Sequence, residues 1–239
     1  MAKGPGYILF IVEGPTDEMS LGRILSKLFL ERDGNAVKFA VMHTDLLTRN
    51  RFSSVPGSGS SATKVRDKIR NEVLSYIDRQ RIGWKDLSRI AYITDTDGVF
   101  VPDNMVVLDE SCDHVRYGVS EMRSCRPEDI CARNHKKARS LLQLCGVSDL
   151  TYKRHHVPFA VYYFSRNLEH ALHGEVAEQS RSEKVDLARE FSLRYSRDVP
   201  AFCALLEELC PEGDYRETWN YITRDAHSLE RSSNLYHAL

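Results

Sequence analysis

Residues 90–100 read IAYITDTDGVF and combine a strong strand pattern with two acidic residues. The run from Ile90 to Thr94 is apolar and rich in β-branched and aromatic side chains, which indicates a buried strand. It ends in two aspartates, Asp95 and Asp97, and then Gly98. Because the two acids are spaced i, i+2, they lie on one side of the strand end. The stretch therefore predicts a buried strand that delivers two carboxylates to one edge of a sheet.

Three further apolar runs read as strands, at residues 7–12, 37–42 and 157–164. Their near-continuous apolarity favours parallel strands that are covered by helices on both faces. Helical patterns separate them. An apolar stripe at residues 21–29 follows an expected N-cap at Thr16, a second helix is expected over residues 62–81, and a third ends at Gly146. This alternation predicts an α/β protein with a doubly wound parallel sheet, in which ligands bind at the carboxyl ends of the strands.

The chain beyond residue 168 shows helical stretches and no convincing strand. We therefore predict a catalytic domain at residues 1–168 and a helical C-terminal extension at residues 169–239. A loop insertion is expected at about residues 48–62, because residues 53–61 read SSVPGSGSS. The role of the extension is left open among packing on its own domain, dimerisation and binding of a partner, with a slight preference for the last two.

Composition excludes several classes of protein. No segment approaches the roughly 20 apolar residues that span a bilayer, so no membrane association is expected. The first apolar run lacks a cleavage site for secretion, and the six cysteines form no C-x-x-C pair, so we expect a cytoplasmic protein with reduced thiols. The net charge of −1 excludes a globally basic nucleic-acid binder. Residues 49–81 and 116–156 are nevertheless basic and flank Asp95 in sequence, a pattern typical of either phosphate-binding side chains or solvated helix faces.

A second acidic pair follows the first strand. Residues 8–17 read ILFIVEGPTD, which places Glu13 at the carboxyl end of the strand and Asp17 in the first turn of a helix. Four carboxylates at neighbouring strand ends repel one another unless a cation compensates. Glu13, Asp17, Asp95 and Asp97 therefore predict a hard divalent ion with oxygen ligands, Mg²⁺ or Mn²⁺. Zn²⁺ is disfavoured, since the nearby sequence offers no Cys or His at ligand spacing.

These motifs resemble the TOPRIM family, which includes topoisomerases, bacterial primases and OLD-family nucleases. The resemblance rests on Glu13-Gly14 and Asp17 after one strand and on Asp95-Thr96-Asp97-Gly98 after another, and it covers residues 5–170. It implies a TOPRIM-like fold. Since topoisomerases and primases need further large domains, the nuclease branch fits better, as a metal-dependent endonuclease that cuts DNA or RNA.

The resemblance also implies a biological setting. OLD-type nucleases usually carry an ATPase on the same chain, whereas this sequence has no Walker A motif, so any ATPase would be a separate partner. Small stand-alone TOPRIM proteins of this kind resemble toxic effectors of bacterial anti-phage defence systems. This step rests on family analogy alone.

Roles for individual residues follow from the same resemblance. Glu13 and Asp97 would hold one metal with Asp95 bridging or supporting, and Asp17 would orient a second ion or its water. Such enzymes often add an acid and a lysine after the D-x-D motif. Glu169 is the candidate acid, although it is also suited to stabilise a helix N-terminus. Four bases of one predicted helix are candidates for binding nucleic acid and neutralising phosphate, with Lys137 the candidate catalytic lysine: Arg133, Lys136, Lys137 and Arg139.

Two other functions stay open. ITDTDGVF alone also resembles the first motif of the haloacid dehalogenase superfamily, in which Asp95 would be a nucleophile and Asp97 a general acid/base beside Mg²⁺. That alternative leaves Glu13 and Asp17 unexplained. The second is a TOPRIM-like scaffold that binds nucleic acid or an ATPase without cutting, and the presence of all four acids argues against it.

Overall fold

The computed structural model describes residues 6–41, 61–174 and 180–239, with side chains described from residue 65 onward in the second range. The loop insertion predicted at residues 48–62 lies outside these ranges except for residues 61 and 62, which begin a helix. The described strands are β1 (Tyr7–Val12), β2 (Ala36–Val41), β3 (Leu87–Asp95), β4 (Val106–Leu108), β5 (Arg116–Tyr117), β6 (Met122–Ser124), β7 (Asp149–Tyr152) and β8 (His155–Phe164).

The described helices are α1 (Pro15–Asp33), α2 (Ser61–Gln80), α3 (Pro127–Cys145), α4 (Leu168–His173), α5 (Arg181–Arg197), α6 (Val199–Leu209) and α7 (Tyr215–Ile222). Short 3₁₀ turns lie at Trp84–Asp86, Asp103–Met105, His227–Leu229 and Leu235–Ala238. All four predicted strands are present, and the three predicted helices correspond to α1, α2 and α3. The segment beyond residue 180 is helical, as its sequence pattern predicts.

The main sheet has five strands in the order β2-β1-β3-β8-β7. Strand β1 pairs in parallel with both β2 and β3, whereas β7 and β8 pair antiparallel. The prediction of a wholly parallel sheet was therefore wrong at one edge, because a two-residue turn joins β7 to β8 and such a turn permits only antiparallel pairing. The fold is α/β, with a mixed, mostly parallel sheet flanked by helices.

A second sheet of three short strands, in the order β4-β6-β5, was not predicted. Each of its strands has two or three residues, which is too short to show an alternating pattern. The chain divides into two compact units. The first unit comprises Met1–Ile93, Ser140–Val161 and Arg181–Val199, and the second comprises Thr94–Arg139, Tyr162–Ser180 and Pro200–Leu239. The domain boundary expected after residue 168 stays a prediction.

In the first unit, helix α1 buries the apolar stripe that the sequence predicts: Leu21, Ile24, Leu25 and Phe29 are all inaccessible to solvent. Burial of each such side chain stabilises the fold by about 1.5–3 kcal/mol. The expected N-cap was wrong. Gly14 caps the helix rather than Thr16, because Pro15 takes the first helical position, where its fixed φ is favourable.

Helix α2 packs in the first unit through the stripe Val65, Ile69, Val73 and Ile77, all of which are buried. The second unit has its own apolar cluster, made of Val101, Val106, Met122 and Leu229. This cluster lies under the turn that follows β3. The side chains of Met122 and Leu229 are the nearest ones to the place that a β-carbon on Gly98 would occupy. The shape of that turn is therefore tied to the packing of the second unit.

Candidate active site

The turn from Asp95 to Gly98 is held on both sides by backbone hydrogen bonds. The Thr96 amide donates to the Phe164 carbonyl at 3.0 Å, and the Asp97 amide donates to the Arg166 carbonyl at 2.8 Å. In return, the Arg166 amide donates to Thr96 Oγ1 at 3.0 Å. Thr96 is completely buried. The end of β3 is thereby fixed to the segment that follows β8, which leaves the two aspartates on a rigid support.

Two successive residues of the turn adopt the left-handed backbone conformation. The φ of Asp97 is 50° and that of Gly98 is 66°. Glycine adopts this conformation freely, and a short Asp side chain tolerates it better than most residues do. Backbone strain of this kind persists only where the surroundings enforce it, and it is concentrated at functional sites.

Helix α3 holds the turn with three polar side chains. Lys137 Nζ donates to Asp97 Oδ2 at 2.6 Å, and Arg133 Nη2 donates to the Asp97 carbonyl at 3.1 Å. Asn134 Nδ2 reaches the Gly98 carbonyl at 3.5 Å. Residues 133, 134 and 137 share one face of the helix, as the spacing i, i+1, i+4 requires. Two of the predicted phosphate-binding residues thus lie at the turn, whereas Lys136 and Arg139 are exposed on α3.

The ion pair between Lys137 and Asp97 is asymmetric in burial. The Lys137 side chain is 1% exposed and the Asp97 side chain is 35% exposed. A lysine this deeply buried must be paired to stay charged, since desolvation disfavours an isolated ammonium group. The partly exposed carboxylate is thus positioned by a lysine that solvent does not reach.

Tyr117 and Arg166 also lie at the turn, and sequence reasoning missed both. Burial raises the pKa of the Tyr117 hydroxyl, the Asp97 charge raises it further, and Arg133 opposes these effects. The Arg166 guanidinium lies 5.0 Å from the centroid of the Tyr117 ring, and burial lowers the pKa of this arginine. Tyr117 belongs to a two-residue strand, so its sequence context carried no signal.

Glu169, the predicted additional acid, lies in the first turn of α4 and is 9% exposed. The helix is capped by Asn167, whose side chain accepts a hydrogen bond from the His170 amide at 2.8 Å. An acid at this position interacts favourably with the helix dipole, as the sequence analysis allowed. Its burial and its place in the second unit keep Glu169 a candidate for the site.

The first unit places Glu13 and Asp17 around the start of α1. The Tyr92 hydroxyl donates to Glu13 Oε1 at 3.1 Å. Asp17 Oδ2 accepts a hydrogen bond from the Gly14 amide at 2.9 Å, which closes the first turn of the helix. Asp17 therefore has a structural role that the sequence analysis did not assign to it. The prediction that this pair shares a metal with Asp95 and Asp97 stays a prediction.

Across residues 6–41, 61–174 and 180–239, no three His, Cys, Asp or Glu side chains are gathered into a group that could hold a metal ion. The chemistry of the donors nevertheless fits a hard cation. Asp95 and Asp97 offer carboxylate oxygens, which Mg²⁺ and Mn²⁺ prefer. Lys137 already balances part of the negative charge of Asp97, so further acids would be needed to hold a divalent ion.

None of the described helices is long and apolar enough to cross a membrane. Comparison with protein-family models, with curated proteins and with solved structures finds no match to this chain.

His170, on α4, gives the second unit a pH-dependent stability. Burial lowers its pKa from the usual 6.5 to about 4, and the charges of Arg166 and Arg231 act in the same direction. The unfolded state therefore binds the proton more readily, so the free energy of unfolding falls as the pH drops from 6.5 to 4, by about 3 kcal/mol. We expect H170Q to abolish this part of the pH dependence. Urea unfolding of both proteins at several pH values measures it, and parallel pH profiles would contradict the assignment.

Proposed function

We propose that this chain is a divalent-metal-dependent nuclease whose catalytic centre is built on the turn from Asp95 to Gly98. The observation that carries the proposal is the pairing of Asp97, in a left-handed turn at the end of a strand, with the buried Lys137. A charged residue held in a strained backbone conformation is typical of functional sites. The reaction class follows from the acids and bases together, since carboxylates recruit Mg²⁺ or Mn²⁺ and the cations of α3 suit a phosphodiester.

In this proposal Asp95 and Asp97 hold the metal, with Glu13 and Asp17 as the further ligands predicted from the sequence. A metal bound there would supply Lewis-acid stabilisation of the charge that develops on the phosphate. The chain's own residues prepare the site. Lys137 fixes one carboxylate oxygen of Asp97, and α3 fixes the backbone on either side of Gly98, so that the carboxylate is already oriented before the substrate arrives.

Arg133 is the best placed cation for the substrate. Its guanidinium lies at the Asp97 carbonyl and also bonds Asn134 Oδ1 at 2.8 Å, so its position is fixed while the side chain is only partly buried. The Nε and Nη2 donors are used in these bonds, so a phosphate oxygen would accept its hydrogen bond from Nη1. Glu169 is the candidate acid that completes the centre.

The setting of the proposed enzyme follows from the family resemblance. By that analogy alone, the chain would be a cytoplasmic anti-phage effector that works with a separately encoded ATPase. Dimerisation or partner binding by the helical C-terminal segment is part of the same proposal.

The test is cleavage of plasmid DNA and of a structured RNA with Mg²⁺, with Mn²⁺ and with chelator, by the full chain alone and together with any ATPase that a neighbouring gene encodes. Metal-dependent cutting that chelator abolishes supports the proposal. No cutting of either polymer under all conditions contradicts it and favours a non-catalytic scaffold. Hydrolysis of a chromogenic phosphomonoester with a trapped phosphate on Asp95 would instead identify a phosphatase.

Substitution of Glu13 tests the predicted role of this acid in catalysis. We expect E13Q to reduce cleavage by about 100-fold or more, because loss of one charged ligand removes several kcal/mol of charge stabilisation. Glutamine keeps an oxygen that can accept the Tyr92 hydrogen bond, so the fold should be unaffected. Y92F is the matched control, since it removes that hydrogen bond and leaves the charge. Initial cleavage rates decide the point: a loss in Y92F equal to that in E13Q would assign Glu13 a structural role only.

A further inference from the structure

Helix α2 ends on a residue whose backbone conformation favours glycine. Arg81 has a φ of 56°, its amide donates to the Asp78 carbonyl at 3.1 Å, and the Ile82 amide donates to the Ile77 carbonyl at 2.9 Å. These two bonds define a helix end in which the left-handed residue is usually glycine. Helix α1 also ends on a left-handed residue, and there it is Gly34, with a φ of 65°. An arginine at this position is therefore unfavourable for the backbone.

The turn between β7 and β8 also has a basic residue at a position whose backbone conformation favours glycine. Tyr152 pairs with His155, so the loop consists of Lys153 and Arg154 alone. The φ of Lys153 is 54°. Two-residue hairpin loops with a left-handed first residue favour Gly, Asn or Asp, because these residues tolerate that conformation. This chain instead places two bases there, and both are exposed.

The two turns are joined by aromatic contacts within the first unit. The Trp84 indole N–H donates to the His155 carbonyl at 3.2 Å, and the Trp84 and Tyr152 rings lie with centroids 5.7 Å apart. The end of α2 and the hairpin turn therefore form one exposed surface, which we call the basic corner and define by five exposed residues: Arg79, Arg81, Lys85, Lys153 and Arg154.

The charge of the basic corner is not compensated locally. Residues 78–86 and 153–154 together contain two acidic residues, Asp78 and Asp86, and the five basic residues of the corner. The nearby Asp149 already contacts Arg66 and His156, at 3.7 and 3.2 Å. Within the ranges that the structure describes, neither Arg81 nor Arg154 forms an ion pair. The corner therefore presents a positive surface to solvent on a rigid frame.

We infer that the basic corner binds the phosphate backbone of double-stranded DNA. Basic residues at two positions that favour glycine reduce the stability of the fold. Backbone strain of this kind persists where it serves a function. A positive surface without compensating acids is complementary to a polyanion. The inference rests on the proposed nuclease function and deepens it, since it names duplex DNA as the polymer.

Two observations favour duplex DNA over other nucleic acids. Trp84 is 6% exposed and packs against Tyr152, so it offers no free ring on which an unpaired base could stack, as single-strand binders require. The tip of a two-stranded hairpin fits the major groove of B-form DNA, whereas the major groove of A-form RNA is deep and too narrow for protein side chains. Contacts through Arg and Lys to phosphates predict binding that tolerates any sequence and weakens with salt.

The test is fluorescence anisotropy of the full chain with a labelled DNA duplex in chelator, so that binding is measured without cleavage. We expect the triple variant R81G/K153G/R154S to bind at least about 10-fold more weakly than the wild type. The slope of log affinity against log salt should decrease in magnitude by about 2.7, at 0.9 per lost phosphate contact. Because glycine suits both left-handed positions, the melting temperature should stay the same or rise.

A control variant separates the basic corner from net charge. R181Q/R189Q/R197Q removes three exposed charges from α5 in the same unit and should bind DNA within about twofold of the wild type. Wild-type affinity in the corner variant, an equal loss in the α5 variant, or tighter binding of an RNA duplex of the same length would each overturn the inference. Absence of cleavage by the wild-type protein, together with DNA binding that the corner variant weakens, would count against the nuclease proposal alone.

Discussion

Replacing Asp97 with asparagine is expected to reduce the rate of metal-dependent cleavage by about 100-fold or more, while the chain still folds. Asparagine has the same shape, tolerates the left-handed φ of 50° at this position and retains an oxygen that can accept the Lys137 hydrogen bond. What it lacks is the charge, which in the proposed mechanism holds the metal. Initial rates of cleavage with Mg²⁺ measure the loss. Cutting within threefold of the wild-type rate would contradict a role for Asp97 as a ligand.

D97N should also be less stable, because Lys137 is left buried without its counter-charge. Loss of one partner from a buried pair costs about 3–5 kcal/mol, and we expect about 2–4 here because the Asp97 side chain is 35% exposed. The double variant D97N/K137M separates the two effects. Replacement of the ammonium by an apolar group of similar length should restore most of the free energy of unfolding and none of the activity. Urea unfolding and cleavage assays on the same preparations provide both measurements.

The second large effect is expected for G98A, which should destabilise the second unit by about 2–4 kcal/mol. A β-carbon on Gly98 would lie 2.9 Å from Met122 Sδ and 3.1 Å from Leu229 Cδ2. The φ of 66° adds a conformational penalty of about 1 kcal/mol for an L side chain. The free energy of unfolding in urea measures the sum.

G34A is the matched control for this prediction. Gly34 has a φ of 65°, nearly the same as that of Gly98, but a β-carbon there would meet no atom within 4 Å. Its substitution should therefore show the conformational penalty of about 1 kcal/mol without the steric contribution. Equal destabilisation by the two variants would mean that the apolar cluster under Gly98 adjusts freely, and the turn would then be less rigid than proposed.

The long elements of this fold were predictable because each carries a repeating apolar pattern. The buried face of α1 follows i, i+3, i+4 spacing, that of α2 repeats every four residues, and the four predicted strands are continuous apolar runs. Strand β7 was missed because its residues, Asp149–Tyr152, are half-polar and number only four. It became a strand through pairing with β8, which is a tertiary effect that local sequence does not encode.

The candidate site was predictable to the extent that its residues lie in a recognisable motif. Asp95 and Asp97 stand directly after an apolar run. Lys137 was selected through a family resemblance as a phosphate-binding lysine, and its pairing with Asp97 was not predicted. Asn134 and Arg166 could not be found in this way, since their contacts with the turn join residues 36 and 70 positions apart. Only the folded chain brings such residues to the same carbonyl or hydroxyl group.

The hydrogen bonds that shape the turn also determine when the site can exist during synthesis. The amides of Thr96 and Asp97 donate to the carbonyls of Phe164 and Arg166. The ribosome must therefore synthesise a stretch of chain about half as long as a typical small domain after the donors before the acceptors exist. Contacts so distant in sequence form late, because a long loop must close before they contribute. A nascent chain therefore carries both aspartates on the ribosome well before it has the geometry in which we propose they act.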